Sequence, residues 1–154
     1  MAELSSNSSA EPRFTILIVD DDPLTCALAT KLLTQDGHSA LEAVGSSEAV
    51  EVCDRYPGKI DLIMLDLVLY PPAIHLDTRH NTVPRVHGDK LLPILRSKRP
   101  LTRVLLMSAV SQWTLGGRGM GALIRKYPFL QKPLTADTLL LKIREVLGGP
   151  LPGR

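Results

Sequence analysis

The chain has 154 residues and a formal net charge of +2; hydrophobic residues make up 44% of it and charged residues 22%. This composition is typical of one globular domain and excludes a disordered chain, a collagen-like fibre and a coiled-coil rod. No apolar run is long enough to span a bilayer, and a net charge so near zero gives no global argument for nucleic-acid or membrane binding. The two cysteines, Cys26 and Cys53, are too few for a disulfide scaffold or a zinc site, so we expect buried thiols in a reducing compartment.

Residues 1–12, MAELSSNSSAEP, are polar and rich in serine. They lack the basic start and apolar centre of a secretory signal, which predicts a disordered N-terminal arm and a cytoplasmic location. Order is expected from Phe14, where the run FTILIVD reads as a strand buried on both faces. Asp22 and Pro23 then predict a helix start, with Leu24, Leu28 and Leu32 repeating along one face.

The middle of the chain continues the alternation of strands and helices. A short strand is predicted over Ser39–Ala43, a helix capped by Ser46 or Ser47, and a second strong strand over Ile60–Leu65. Residues 67–87 contain prolines and three histidines without a clear period. We interpret them as a long loop, and loops of this length in compact domains are usually functional or disordered.

The last third of the chain predicts three more helices and two more strands. The first helix follows Gly88, and Pro93 distorts its first turn or delays its start. A strand over Arg103–Ser108 precedes a helix within Ser111–Lys126, which the segment GGRGMG weakens at its start. A brief strand at Phe129 and Leu130 leads to the last helix, which is capped by Thr135 and directs Leu139 and Ile143 inward. Strands that are apolar on both faces and alternate with helices indicate an open parallel sheet covered by helices on each side.

Polar side chains follow four of these strands. Functional side chains of such folds gather beyond the carboxyl ends of the strands. The residues at those ends are Asp20, Asp21 and Asp22 after the first strand, Asp66 after the third, Ser108 after the fourth and Lys132 after the fifth. Carboxylates packed closely repel one another, and Mg²⁺ with oxygen ligands is the cation that best holds them ionised. A carboxylate so placed can attack phosphorus, while the lysine and the hydroxyl can bind phosphoryl oxygens.

The motifs ILIVDDDP, LIMLD, LLMSA and FLQKP, in this order and spacing, resemble the receiver domain of two-component response regulators. The resemblance extends over roughly Phe14 to Leu147. It implies an α/β flavodoxin-like fold, a (βα)5 three-layer sandwich with a five-stranded parallel sheet. It also implies a signalling domain that catalyses only its own phosphorylation and dephosphorylation, with Mg²⁺ as cofactor.

Carried over residue by residue, the resemblance implies a set of roles. In this set Asp66 is the phosphoacceptor. Mg²⁺ is bound directly by Asp21 and by the Val68 backbone carbonyl, and mainly through water by Asp20. Lys132 is the invariant lysine before a cis bond to Pro133, Ser108 is the switch hydroxyl and Phe129 is the switch aromatic. The expected phosphodonor is a sensor histidine kinase or a histidine phosphotransfer protein. No nucleic-acid or membrane partner is expected, and the domain is predicted to be a monomer or weak dimer.

The predicted organisation is an arm over 1–12, a receiver domain over 13–148 and a tail over 149–154. These short ends leave no room for an output domain, so we expect a stand-alone receiver that signals by protein–protein contact. A piece cut from a longer protein is the alternative that the sequence leaves open.

Three features depart from the family pattern. The segment 67–87 is an insertion that could cover the site, replace the usual kinase-docking surface or add a second ligand site. Its candidate metal ligands are His75, Asp77, His80 and His87, but we expect these side chains to be solvated rather than to bind a metal. Gly117, Gly119 and Ala122 fit a dinucleotide fingerprint only formally, because no strand runs directly into them. The basic run Arg96, Lys98, Arg99 and Arg103 is interpreted as a solvated helix end rather than a partner surface.

Two other functions remain open at this stage. One is a receiver-like binding module that works without phosphorylation. The other is a metal-dependent phosphohydrolase with Asp66 as nucleophile. Hydrolases of that kind carry a second aspartate two residues after the nucleophile, and Val68 occupies that position here.

Overall fold

The computed structural model describes residues 13–69 and 88–148. The predicted arm 1–12, the tail 149–154 and most of the predicted insertion, including His75, Asp77, His80 and His87, lie outside the described residues. Leu67 and Leu69, at the predicted beginning of the insertion, are buried in the core. Burial of these two leucines extends the core beyond the end of the third strand.

Five parallel strands form one sheet in the order β2-β1-β3-β4-β5. The strands are β1 (Thr15–Val19), β2 (Ser39–Ala43), β3 (Leu62–Asp66), β4 (Arg103–Ser108) and β5 (Phe129–Gln131). Every residue of β3 is buried, as expected for a central strand with helices on both faces. The strand order reverses between β1 and β3, and the flavodoxin-like fold predicted from the sequence is confirmed.

Helices cover both faces of the sheet. They are α1 (Pro23–Gln35), α2 (Ser46–Arg55), α3 (Gly88–Lys98), α4 (Gln112–Leu115), α5 (Gly121–Lys126) and α6 (Ala136–Gly148). One core lies between the sheet and α2, α3, α4 and α5, and the other lies between the sheet and α1 and α6. No helix among the described residues is both long and apolar enough to cross a bilayer. Both cysteines are buried and free, as predicted.

The buried face of α1 differs from the prediction. Cys26, Ala29 and Leu33 point to the core, whereas Leu28 is exposed and Leu24 is 80% exposed. The small side chains of Cys26 and Ala29 let the helix lie close to the sheet, which turns the larger leucines outward. Leucine spacing predicted the helix correctly and its buried face wrongly.

The start of α2 also differs from the prediction. Its cap residue is Gly45, with extended backbone and no capping side chain, rather than Ser46 or Ser47. The carboxylate of Glu48 instead accepts a hydrogen bond from the Val44 amide at 3.0 Å. A first-turn glutamate is favourable there because it faces the positive end of the helix dipole.

Glycine and proline act differently from expectation in the last third of the chain. Helix α3 begins directly at Gly88 and contains Pro93 in its interior. The glycine-rich helix is interrupted in its middle by a π-helical turn over Gly116–Met120, rather than weakened at its start. Gly119 adopts a φ of +85°, which only glycine reaches easily, and this residue separates α4 from α5. The predicted cap of α6 is confirmed, since the Thr135 hydroxyl accepts from the Thr138 amide at 3.3 Å.

Candidate functional site

Three carboxylates meet at the carboxyl edge of the sheet because β1 and β3 are neighbours. Oxygen atoms of Asp20, Asp21 and Asp66 all lie within 4.8 Å of one another. Asp20 is fully buried and Asp66 is 4% exposed. We call these three residues the acidic site. Its oxygen donors are the kind that a hard divalent cation such as Mg²⁺ requires, so the chemistry of the donor set fits the ion that the sequence predicted.

Lys132 places a positive charge on the acidic site from the end of β5. Its Nζ lies 2.7 Å from Oδ2 of Asp66 and also forms an ion pair with Asp20. The peptide bond to Pro133 is cis, as the resemblance to receiver domains implied. The Lys132 amide donates to the Ser108 carbonyl at 2.9 Å, which ties the lysine backbone to the end of β4. One ammonium group therefore bridges carboxylates from two different strands.

Burial and pairing oppose each other in this cluster. Burial raises the pKa of Asp66 to about 6, although hydrogen bonding and charge attraction from Lys132 act to lower it. Burial lowers the pKa of Lys132, but its hydrogen bonds to Asp20 and Asp66 outweigh that effect and the pKa is raised. The buried carboxylates of Asp20 and Asp66 share the one ammonium group of Lys132, an arrangement that favours a further cation.

The backbone after Asp66 is held from two sides. The Leu67 amide donates to the Met107 carbonyl of β4 at 3.0 Å, and the Gly88 amide at the start of α3 donates to the Leu67 carbonyl at 3.2 Å. Within the turn, Oδ1 of Asp66 accepts from the Val68 amide at 2.9 Å. Together these bonds orient the Asp66 carboxylate toward the acidic site.

Gly88 lies closer to this backbone than a residue with a Cβ atom could. A Cβ atom there would lie 2.3 Å from the Asp66 carbonyl oxygen and 2.8 Å from Cα of Leu67. The sequence identified Gly88 only as the end of the loop. Its packing against the Asp66 backbone has no signal in the sequence other than the glycine itself.

Ser108 and Phe129 lie on the neighbouring strands β4 and β5. Ser108 is fully buried, and its hydroxyl oxygen accepts from the Val110 amide at 3.0 Å. Phe129 is partly buried against the core beneath α3, α4 and α5. The strand register pairs Ser108 with Gln131 and Phe129 with Leu106. The structure thus brings both residues to the side of the sheet that carries Lys132.

Several curated proteins are similar to this chain in sequence. No protein-family model matches the chain. It is 29% identical over 140 residues to the transcriptional regulatory protein TcrA of Mycobacterium tuberculosis, covering 89% of this chain and 47% of that protein. It is 25% identical over 133 residues to the sensor kinase CckA of Brucella abortus, covering 86% of this chain and 12% of that protein. The chain therefore spans about half the length, or less, of these curated relatives.

Solved structures show the same fold over most of the chain. The receiver domain of the hybrid histidine kinase CckA superposes with a TM-score of 0.63 at 25% identity, covering 86% of this chain and 98% of that one. This chain contains a response regulator receiver domain. A CheY-like receiver domain of Methanospirillum hungatei matches with a TM-score of 0.66 at 21% identity, covering 88% and 94% of the two chains. A CheX–CheY complex of Borrelia burgdorferi with beryllium fluoride and Mg²⁺ matches at 0.64 and 23% identity, covering 86% and 88%.

Asp22 of the receiver domain stands apart from the acidic site. Its carboxylate caps α1 by accepting from the Leu24 amide at 3.0 Å and from the Thr25 hydroxyl at 2.9 Å. These hydrogen bonds lower the pKa of Asp22, and the bond from the Thr25 hydroxyl has a larger effect than the bond from the Leu24 amide. The three consecutive aspartates therefore divide into two members of the acidic site and one helix cap, as the sequence indicated.

An open groove adjoins the acidic site on the side of α1. Its volume is about 370 Å³, and it is lined by Thr25, Leu28, Ala109, Lys132, Pro133 and Leu134. Leu24, one helical turn before Leu28, is also exposed. The receiver domain thus presents apolar surface directly beside the lysine of the site. The sequence places both leucines on one face of α1 but carries no signal that this face is exposed beside Lys132.

Proposed function

We propose that the receiver domain accepts a phosphoryl group on Asp66 with Mg²⁺ bound in the acidic site. The observation that carries this proposal is the bridging of Asp66 and Asp20 by Lys132, with Asp21 close enough to share a cation. Asp20, Asp21, Asp66 and the Val68 carbonyl would hold the ion. When bound, the ion neutralises charge on the phosphoryl oxygens and the carboxylates.

The donor in this proposal is a phosphohistidine on a sensor histidine kinase or a histidine phosphotransfer protein. A carboxylate oxygen of Asp66 attacks phosphorus as the bond from phosphorus to the donor imidazole nitrogen breaks. The electron pair of that bond stays on the nitrogen, and the product is an acyl phosphate on Asp66. Lys132 then contacts a phosphoryl oxygen in place of the carboxylate oxygen it contacts now.

Ser108 and Phe129 would carry the change to the surface. In the unphosphorylated receiver the Ser108 hydroxyl accepts from the Val110 amide. A phosphoryl oxygen near Asp66 offers that hydroxyl an acceptor, and its movement releases the Val110 amide and opens space for the Phe129 ring. The phosphoryl group would thereby shift the population toward a state with both side chains drawn inward.

The partner surface of this proposal is the apolar groove beside Lys132. A protein that carries a phosphohistidine must contact the receiver around Asp66, and exposed Leu24 and Leu28 supply apolar area for that contact. We further propose that residues 13–148 are a monomeric or weakly dimeric cytoplasmic domain that signals by protein–protein contact. Its chemistry would be limited to its own phosphorylation and dephosphorylation.

The test is intact-protein mass after incubation with acetyl phosphate and Mg²⁺. We expect one phosphoryl adduct that is lost in Asp66→Ala and in EDTA. Asp22→Ala is the matched control, because Asp22 is an aspartate of the same loop that caps α1, and this variant should keep the adduct. An adduct that persists in Asp66→Ala would refute the assignment of the phosphoacceptor.

Absence of an adduct on folded protein would favour a binding module that works without phosphorylation, or shielding of Asp66 from small donors. Repeating the assay after deleting part of the segment 69–85 distinguishes these two explanations. Steady release of phosphate from a small phosphoester would instead indicate a phosphohydrolase.

A further inference from the structure

Charge is distributed very unevenly along this chain. Residues 90–136 contain nine of the 18 basic residues and none of the 16 acidic residues. This stretch builds most of α3 together with α4, α5, β4 and β5. Because β4 and β5 form one side of the sheet, the basic stretch occupies one half of the domain. The small net charge of the whole chain conceals this separation.

Several of these cations already have partners inside the protein. Lys98 pairs with Asp54 at 2.7 Å, and Arg103 donates to the Leu147 carbonyl at 3.0 Å. Arg99 donates to three backbone carbonyls, those of residues 53, 56 and 58. The interpretation of this basic run as a solvated helix end is therefore wrong for Arg99 and Arg103, which bind backbone at the ends of α2 and α6.

Five other cations of residues 90–136 have no carboxylate partner among the residues 13–69 and 88–148. One is Lys90 in the first turn of α3; the others are Arg96, Arg118, Arg125 and Lys126, and we call these four the basic face. Arg118, Arg125 and Lys126 are exposed. Cations that are neither paired nor engaged with backbone are available to a binding partner.

Two members of the basic face converge on one ring. The Arg96 guanidinium lies 5.7 Å from the centroid of the Tyr127 ring, and Nζ of Lys126 lies 5.5 Å from it. Nη1 of Arg96 is buried and has no hydrogen-bond acceptor among the described residues. Two like charges beside one ring repel each other, and a buried donor without an acceptor costs free energy. An anionic group bound beside the exposed Lys126 would offset the repulsion between the two charges.

We propose that the basic face binds an acidic segment of a partner protein. Charge complementarity with the four cations favours an anionic partner. Leu101, which is 78% exposed, precedes β4 at the same edge of the sheet at which Lys126 precedes β5. An exposed leucine beside cations suits an acidic segment that also carries an apolar side chain, whereas a phosphate backbone would leave the leucine uncovered.

The test uses the full, unphosphorylated chain without Mg²⁺, so its result does not depend on the role proposed for Asp66. The probes are a fluorescein-labelled glutamate-rich peptide with one phenylalanine and a single-stranded oligonucleotide of equal formal charge. The face variant is Arg118→Glu, Arg125→Glu and Lys126→Glu. The control variant changes the net charge equally at exposed cations elsewhere, through Lys31→Glu, Arg55→Glu and Lys59→Glu.

Fluorescence anisotropy should show that the face variant binds the peptide about tenfold more weakly and the control variant within about twofold of the unmodified chain. Leu101→Ser should weaken peptide binding and leave oligonucleotide binding unchanged. Equal losses in the two triple variants, or no peptide binding by the unmodified chain, would overturn the proposal. Tighter binding of the oligonucleotide with the same dependence on the face variant would also overturn it in favour of a nucleic-acid surface. Matching thermal unfolding of all variants confirms that each is folded.

Discussion

Replacing Gly88 by alanine tests how tightly α3 controls the phosphoacceptor. The new Cβ atom would lie 2.3 Å from the Asp66 carbonyl oxygen, whereas carbon atoms in ordinary contact lie at about 3.5 Å or more. Both nearest atoms belong to the backbone and cannot rotate away. Either the 66–67 peptide or the start of α3 must therefore move by about 1 Å. Overpacking of this kind costs about 1–3 kcal/mol of unfolding free energy.

The displacement should act on chemistry more than on stability. Asp66 holds the Val68 amide through its own carboxylate, so a shift of the peptide moves the carboxylate relative to Lys132 and the Mg²⁺ ligands. Misplacement by about 1 Å can reduce a rate by about a hundredfold. We expect the Mg²⁺-dependent rate of Asp66 phosphorylation by acetyl phosphate to fall by at least about tenfold in Gly88→Ala.

Two controls separate positioning from simple destabilisation. Gly116→Ala places a Cβ atom in open space at a helical backbone position, so it should keep the rate and gain up to about 1 kcal/mol of stability. Leu139→Ala removes a fully buried side chain from α6, so it should cost about 2–5 kcal/mol and keep the rate at temperatures where it stays folded. Wild-type stability and rate in Gly88→Ala would refute the reasoning, because they would show that α3 yields without moving Asp66.

Three further predictions follow from burial and charge. Leu33→Ala should cost about 2–5 kcal/mol and Leu24→Ala less than about 0.5 kcal/mol in urea unfolding, because Leu33 is buried and Leu24 exposed; equal costs would contradict the observed face of α1. Burial lowers the pKa of His38, although the negative charge of Asp36 acts to raise it. The unfolded chain therefore binds a proton at a higher pH than the folded chain does, and the stability of the fold decreases as the pH drops below about 6.5. His38→Gln should reduce that fall between about pH 7 and pH 5, and unchanged urea midpoints relative to wild type at both pH values would contradict it. Lys132→Met should destabilise the domain by about 3 kcal/mol at neutral pH, because it leaves Asp20 and Asp66 buried without their cation. Added Mg²⁺ should recover part of that loss in thermal unfolding, and a melting temperature insensitive to Mg²⁺ would argue against the ion site.

The acidic site could be predicted from the sequence because its geometry follows from strand direction alone. The carboxyl ends of parallel strands lie at one edge of a sheet, so residues at these ends or directly after them meet there whatever the details of packing. Asp20, Asp66 and Lys132 are such residues, and the structure brings them within ion-pair distance. The roles assigned to them in phosphoryl transfer remain predictions.

Features that depend on close approach between distant segments had no such signal. Leucine spacing suggested one face of α1, but small Cys26 and Ala29 decided which face lies against the sheet. Gly88 was recognised as the end of a loop, and only the packing of α3 shows that it touches the backbone of Asp66.

The pairing of surface charges also could not be predicted from the sequence. The sequence alone gives the basic count of residues 90–136. The tertiary structure decides that Arg99 donates to the carbonyls at the end of α2. It also places Arg96 and Lys126 beside one tyrosine, with no carboxylate partner in the part of the chain that the structure describes. A local pattern specifies backbone conformation and polarity, because those depend on near neighbours in the chain. Which charges are compensated depends on groups tens of residues away, and folding alone brings them together.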